Sequence, residues 1–219
     1  MTIEAVWSDV GEVLVDETRE YGTWADWLGV PRHTFSAVFG AVIAAGRDYR
    51  ETFQVFRPGF DLAAERERRA QVGKAEWFGE DDLYPDVRPT LSAIRDMGIA
   101  VGVAGNQTAR AELILRDLRL PIGTMATSDS WGVAKPSPAF FERLVAEAGV
   151  PADRILYVGD RLDNDIAPAL EVGLQTALIR RGPWGRILRN QDLETRCLFI
   201  LDSLDGLPQL IKEHNTTEG

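Results

Sequence analysis

Glu4-Ala5-Val6-Trp7-Ser8-Asp9-Val10-Gly11-Glu12-Val13-Leu14-Val15-Asp16 begins as an apolar strand, meets a carboxylate and turns at a glycine. A strand that delivers a carboxylate to the tip of a turn puts a nucleophile where it can attack phosphorus or carbon and form a covalent intermediate. Asp9 is that candidate. By itself an Asp before a Gly turn is more often turn chemistry than catalysis. Three further polar clusters, each arriving as a strand ends, change the balance.

From Tyr84 onward helices and strands alternate. Leu91, Ile94 and Met97 mark one face of a helix that stops at Gly98, and a strand follows over 99–104. A helix over 111–118 precedes a short strand near Met125. Ser137 caps a helix with Pro138 in its first turn and Gly149 at its end. Strands at 155–158 and 176–179 flank a helix carrying Ile166, Ala169, Leu170 and Val172. This order predicts an α/β fold, a doubly wound parallel sheet with right-handed crossovers. Ligands in such sheets bind beyond the carboxyl ends of the strands. Asp9, then Gly105-Asn106-Gln107, then Lys135, then Gly159-Asp160 with Asp163, Asn164 and Asp165 all fall there.

Residues 17–82 have a different character. Trp24, Trp27 and Leu28, then Phe35, Val38, Phe39 and Val42, then Phe53 and Phe56 recur at helical spacing, punctuated by Pro31, Gly46, Pro58-Gly59, Gly73 and Gly79. They predict an all-helical insert whose tryptophans form a core. The run 65–69 reads as a solvated, alternately charged helix face. The expected organisation is a core of 1–16 and 83–219 interrupted by the insert 17–82.

A net charge of -10 argues against a nucleic-acid surface, which rewards a basic face. A small anionic ligand would need local cations, for which Lys135, Arg161, Arg180 and Arg181 are candidates. Arg181, in a Gly/Pro loop at the same sheet edge, is expected to touch such a substrate. No apolar run reaches the length of a membrane span and the N-terminus lacks a signal-peptide layout, so a cytoplasmic protein is expected. Cys197, beside the apolar run 198–201, reads as a small buried hydrophobe. His214 lies in a polar tail expected to fray.

The order Asp9, Asn106, Lys135-Pro136, Gly159-Asp160 with Asn164-Asp165 resembles the haloacid dehalogenase superfamily, whose members are mostly phosphatases. Tyr157-Val158-Gly159-Asp160-Arg161-Leu162-Asp163-Asn164-Asp165-Ile166 is its most specific stretch. The resemblance implies a Rossmann-like core with a helical cap inserted after the first motif. It also implies that Asp9 attacks phosphorus of a small phosphorylated metabolite, that Lys135 holds Asp9 and the phosphoryl oxygens, and that Gly105 and Asn106 lie at the substrate. Magnesium would be held by Asp9, Asp160 and the carbonyl of Gly11, with Asp165 supporting it from outside. Two carboxylates and a carbonyl make the hard, all-oxygen site that suits this ion.

Two positions depart from the superfamily's pattern. Gly11 stands where an Asp usually protonates the leaving group, a contribution of ~10²–10⁴-fold. Gly105 stands where a Ser or Thr hydroxyl usually meets the phosphoryl group. Glu12 is one replacement for the missing acid, though neighbours in an extended turn point opposite ways. The reading is therefore a magnesium-dependent phosphomonoester hydrolase, slowed by Gly11. Its rivals are a silent phosphate- or metabolite-binding member of the same fold and a hydrolase of dehalogenase or phosphonatase type.

Overall fold

Strand β1 (Ala5–Ser8) is buried along its whole length, as a central parallel strand covered on both faces must be. Its Val6 points into one apolar layer and its Trp7 into the other, the period-two alternation of a strand. The computed structural model describes residues 1–218. Around β1 stand β2 (Ala100–Gly105), β3 (Thr124–Thr127), β4 (Ile155–Gly159), β5 (Gln175–Ile179) and β6 (Phe199–Leu201). All pair in parallel, in the order β3-β2-β1-β4-β5-β6, so the sheet is doubly wound from its centre.

Between β1 and β2 the chain forms α1 (Thr18–Leu28), α2 (Arg32–Ala44), α3 (Glu51–Phe56) and α4 (Leu62–Gln71), then α5 (Val87–Asp96). After β2 come α6 (Ala109–Asp117), α7 (Ser128–Trp131), α8 (Pro138–Ala148), α9 (Ala167–Glu171), α10 (Gly182–Ile187), α11 (Gln191–Glu194) and α12 (Leu207–Glu218). On one face of the sheet Val6, Val103 and Leu156 pack with Leu91 and Ile94 of α5 and Ile211 of α12. On the other, Trp7 and Tyr157 pack with Phe140, Phe141 and Leu144 of α8.

Three local expectations are corrected. The apolar run 198–201 carries an edge strand, β6, and Cys197 before it is only partly buried. The tail is helical, because Asn215 closes on the backbone of Ile3 through bonds of 2.6 and 2.9 Å and His214 Nε2 lies 2.8 Å from the Met1 carbonyl. Met97 falls just past α5 and stays exposed.

The helices α1–α4 enclose an aromatic cluster of Trp24, Phe35, Phe39, Phe53 and Phe60, with the Phe53 and Phe60 rings stacked at 4.9 Å. Trp184 of α10 joins it, edge-on to Phe39 at 5.2 Å. The chain leaves and re-enters the sheet layer side by side. Asp16 N–H donates to the Asp82 carbonyl at 2.8 Å, Tyr84 N–H to that of Leu14 at 3.0 Å, and Val15 bridges antiparallel to Leu83.

Candidate active site

Asp9 directly follows β1, its N–H bonded to the Val158 carbonyl of β4 at 2.9 Å. Lys135 enters from the segment between α7 and α8 with its side chain fully buried. Its Nζ lies 2.8 Å from Asp9 Oδ1, 2.5 Å from Asp165 Oδ1 and 3.1 Å from the Tyr157 hydroxyl. Burial pulls the lysine's pKa down, but Asp165 and Asp9 outweigh it and hold the ammonium charged. The Asn106 side chain accepts the Lys135 N–H and donates to its carbonyl, each at 2.8 Å. Asn106 thus fixes the lysine's backbone while also lining the cavity above.

Asp160 directly follows β4, and Asp165 comes next in a single π-turn, Leu162–Ile166, where the Ile166 N–H reaches the Arg161 carbonyl five residues back. Such turns are found often at functional sites. Gly159 makes room for it, since a Cβ there would lie 2.3 Å from that of Asp165. Both Asp165 oxygens are occupied, one by Lys135 and the other by the Arg161 N–H at 3.0 Å. Burial pushes Asp165 up to about 6 against the pull of Lys135, and burial followed by Asp165 and Asp9 raises Asp160 well above the carboxylate range.

Asp9, Asp160 and Asp165 offer carboxylate oxygens within 4.8 Å of one another, and all three are buried. Asp160 Oδ2 is buried with no hydrogen-bond partner among the described residues. An orphaned acid among acids, facing one lysine, has the chemistry of a site for a hard divalent cation, and the oxygen-only donors suit magnesium.

Above these groups opens a cavity of about 550 Å³, a size typical of small-molecule sites. Gly11, Asp9, Lys135 and Asp160 meet there with Glu17, Tyr21, Arg47, Tyr49 and Arg50 from the segment between β1 and α4. Besides Lys135, its cations are Arg47, Arg50 and Arg161, paired with Glu51, Asp48 and Asp163. Sequence reasoning singled out only Arg161 of these, because arginines at helix ends carry no pattern of their own. Arg181 is not brought to the cavity. It is buried and forked onto Asp86, with Nη1 also 3.2 Å from the Val13 carbonyl.

The two glycines are close-approach positions. A Cβ on Gly105 would lie 2.4 Å from Asp9 Oδ1, so a hydroxyl-bearing side chain there would displace the Asp9 carboxylate. A Cβ on Gly11 would meet the carboxyl group of Glu17. Glu12 also lines the cavity, but its carboxyl is tied down: Oε2 accepts the Tyr84 hydroxyl at 2.6 Å and the group packs where a Cβ of Gly182 would be.

A carboxylate after the central strand of a parallel α/β sheet is thus held by a buried lysine and faced by two more buried acids. The family model for haloacid dehalogenase-like hydrolases matches residues 3–173, and the chain belongs to that family. It is 37% identical over 116 residues to the glyceraldehyde 3-phosphate phosphatase of Methanopyrus kandleri, covering 52% of this chain and 47% of that one. The chain thus spans about half the length of the curated relatives it matches. Among solved structures it superimposes on the magnesium-bound HAD-hydrolase YfnB of Bacillus subtilis with a TM-score of 0.70 at 15% identity, covering 96% of this chain and 99% of that one. The L-2-haloacid dehalogenase RSc1362 gives 0.67 at 19% identity, covering 97% and 100%, so the fold alone does not choose between reactions. No helix of the described residues is long and apolar enough to cross a membrane.

Proposed function

We propose that the protein is a magnesium-dependent phosphomonoester hydrolase acting on a small phosphorylated metabolite. The observation that carries this reading is Asp160 Oδ2, buried and without a hydrogen-bond partner among the described residues, beside Asp9 and Lys135 on the cavity floor. Dehalogenation has no use for a cation, and would leave these acids as uncompensated repulsion. The phosphatase relative from Methanopyrus kandleri supports a substrate of a few carbons, which a cavity of about 550 Å³ admits.

An Asp9 carboxylate oxygen attacks phosphorus, the bond from phosphorus to the ester oxygen breaks, and the leaving alkoxide takes a proton. Water then attacks the aspartyl-phosphate, loses a proton and releases inorganic phosphate with Asp9 restored. Lys135 orients Asp9 through the 2.8 Å ion pair, and its charge offsets that on the transferring group. Magnesium, held by Asp9, Asp160 and the Gly11 carbonyl with Asp165 behind, would add a second positive charge against the phosphoryl oxygens. Asp165 also anchors Lys135. Residues 17–82 act as a cap that closes the cavity and excludes water.

The test is phosphate release from a panel of phosphomonoesters with and without magnesium, beside Asp9→Asn, with magnesium titrated calorimetrically into wild type and Asp160→Ala. Magnesium-dependent release lost in Asp9→Asn, and magnesium binding lost in Asp160→Ala, are expected. Equal binding by both proteins removes the metal assignment. A second reading, a silent metabolite-binding member of the family, is favoured by Gly11, which carries no acid. It requires ligand binding with no release from any ester.

A further inference from the structure

The place left open at position 11 is filled from another part of the chain. A Cβ on Gly11 would lie 2.6 Å from Glu17 Oε1, 2.9 Å from its Cδ and 3.3 Å from its Oε2. All three nearest heavy atoms belong to one carboxyl group. Oε1 stands about as far from that point as an aspartate's own oxygens stand from its Cβ. Glu17 is the residue that opens α1, yet its side chain does not cap the helix. Its carboxyl instead lines the same cavity as Asp9, Lys135 and Asp160. Glu12, the nearer acid in sequence, lines the cavity too, but its carboxyl accepts the Tyr84 hydroxyl and packs against Gly182, away from the space above Gly11 that Glu17 fills.

We propose that Glu17 is the general acid and base of this hydrolase, supplied to the nucleophile from the first residue of the helical insert. The assignment rests on the phosphomonoester hydrolase reading. In the first half-reaction Asp9 forms its bond to phosphorus, the ester P–O bond breaks with its electron pair on the leaving oxygen, and the protonated Glu17 carboxyl gives that oxygen its proton. In the second, the Glu17 carboxylate takes a proton from water as the water oxygen bonds to phosphorus and the Asp9–phosphorus bond breaks. The carboxyl ends protonated and Asp9 ends ionised, ready for the next turnover. Gly11 is then the space this carboxyl needs. Because Glu17 begins the insert, the acid is in place only while the insert packs on the sheet.

The experiment uses the full chain with magnesium and compares Glu17→Gln with wild type on an alkyl phosphate and on p-nitrophenyl phosphate, whose leaving group needs little proton help. On the alkyl ester kcat is expected to fall ~10²-fold or more. On the aryl ester Asp9 is expected to be phosphorylated but slow to hydrolyse, so intact mass shows one added phosphoryl group that Asp9→Asn lacks. Gly11→Asp alone collides with Glu17 and gains nothing. Combined with Glu17→Ala it should recover alkyl-ester turnover that Glu17→Ala has lost, a rescue that also guards against misfolding of the single variants. Equal kcat on the alkyl ester for wild type and Glu17→Gln, or an equal fall on both esters with no phosphorylated enzyme and no rescue, overturns the role of Glu17 and leaves the hydrolase standing. A wild-type protein that releases no phosphate and takes none onto Asp9 overturns both.

Discussion

Arg181 spends its charge on the fold. Its guanidinium forks onto Asp86, lies 4.2 Å over the Tyr84 ring and touches the Val13 carbonyl, while Asp86 also accepts the Leu204 N–H at 2.7 Å. Removing the arginine strands a buried carboxylate, at a cost of ~3–5 kcal/mol. Arg181→Ala is therefore expected to lose stability of that order in urea unfolding, with the Michaelis constant of an active substrate unchanged. A variant of wild-type stability with a raised constant would return Arg181 to the ligand. Glu20 gives a pH dependence. Burial, then Glu76, raises its pKa against Arg69 and the Trp24 indole N–H. A raised acid binds its proton more tightly in the native state, so its contribution is complete below the unfolded value of ~4.3 and is lost as pH climbs through the folded one. Gln can still accept the Trp24 N–H. The thermal midpoint of wild type should fall relative to that of Glu20→Gln on going from about pH 5 to about pH 8, and parallel midpoints across that range would remove the effect. Asp9, Lys135, Asp160 and Asp165 were legible because strand ends in an alternating chain converge. Asn106 lines the cavity at the expected sheet edge, but its bonds to the Lys135 backbone were not legible. Glu17 was hidden in Asp16-Glu17-Thr18-Arg19-Glu20, which looks like any acidic helix start, and Arg181 was misread because its partner lies 95 residues away.

At the scale of elements, α6 shows how one hydroxyl ties two parts together. Thr108 Oγ1 accepts the Ala111 N–H at 3.0 Å as an N-cap and donates to Glu76 Oε2 at 2.6 Å. Thr108→Ala should cost ~1 kcal/mol for the cap alone, and more if the Glu76 bond contributes. Thr108→Ser should keep both bonds, so equal losses for Ala and Ser in denaturant unfolding would assign the effect to the methyl group. Periodicity located β2, β4 and β5 closely, because buried parallel strands read as short apolar runs between glycines. It missed β6, which is three residues long with Ile200 exposed. It also missed the order of α12 to its end, since a polar sequence gives no sign that Asn215 will close on Ile3.

For the whole molecule, Trp184 is the side chain that belongs to both halves. It stands on α10 beside the sheet, packs edge-on to Phe39 and Tyr49 of the insert at 5.2 and 5.9 Å, and takes the Arg161 guanidinium on its ring at 4.8 Å. Losing a buried Trp of this kind costs ~3–5 kcal/mol of packing. Trp184→Ala is expected to raise amide hydrogen exchange in α2 and around Tyr49 while β1, β2 and β4 keep their protection. Uniform loss across both halves would mean that insert and sheet unfold as one unit.

The paired segments at Val15 and Leu83 have a consequence for how such a chain can diversify. Because the excursion leaves and returns at neighbouring backbone positions, its length is free of the sheet: a longer, shorter or foreign segment spliced between those points asks nothing of strand register. Asp9, Lys135, Asp160 and Asp165 would stay with the sheet, while Tyr21, Arg47, Tyr49 and Arg50, which wall the cavity, would travel with the interchangeable piece. If Glu17 is the acid, it lies just inside that seam, and a graft that begins one residue too late would carry in new selectivity and leave proton transfer behind.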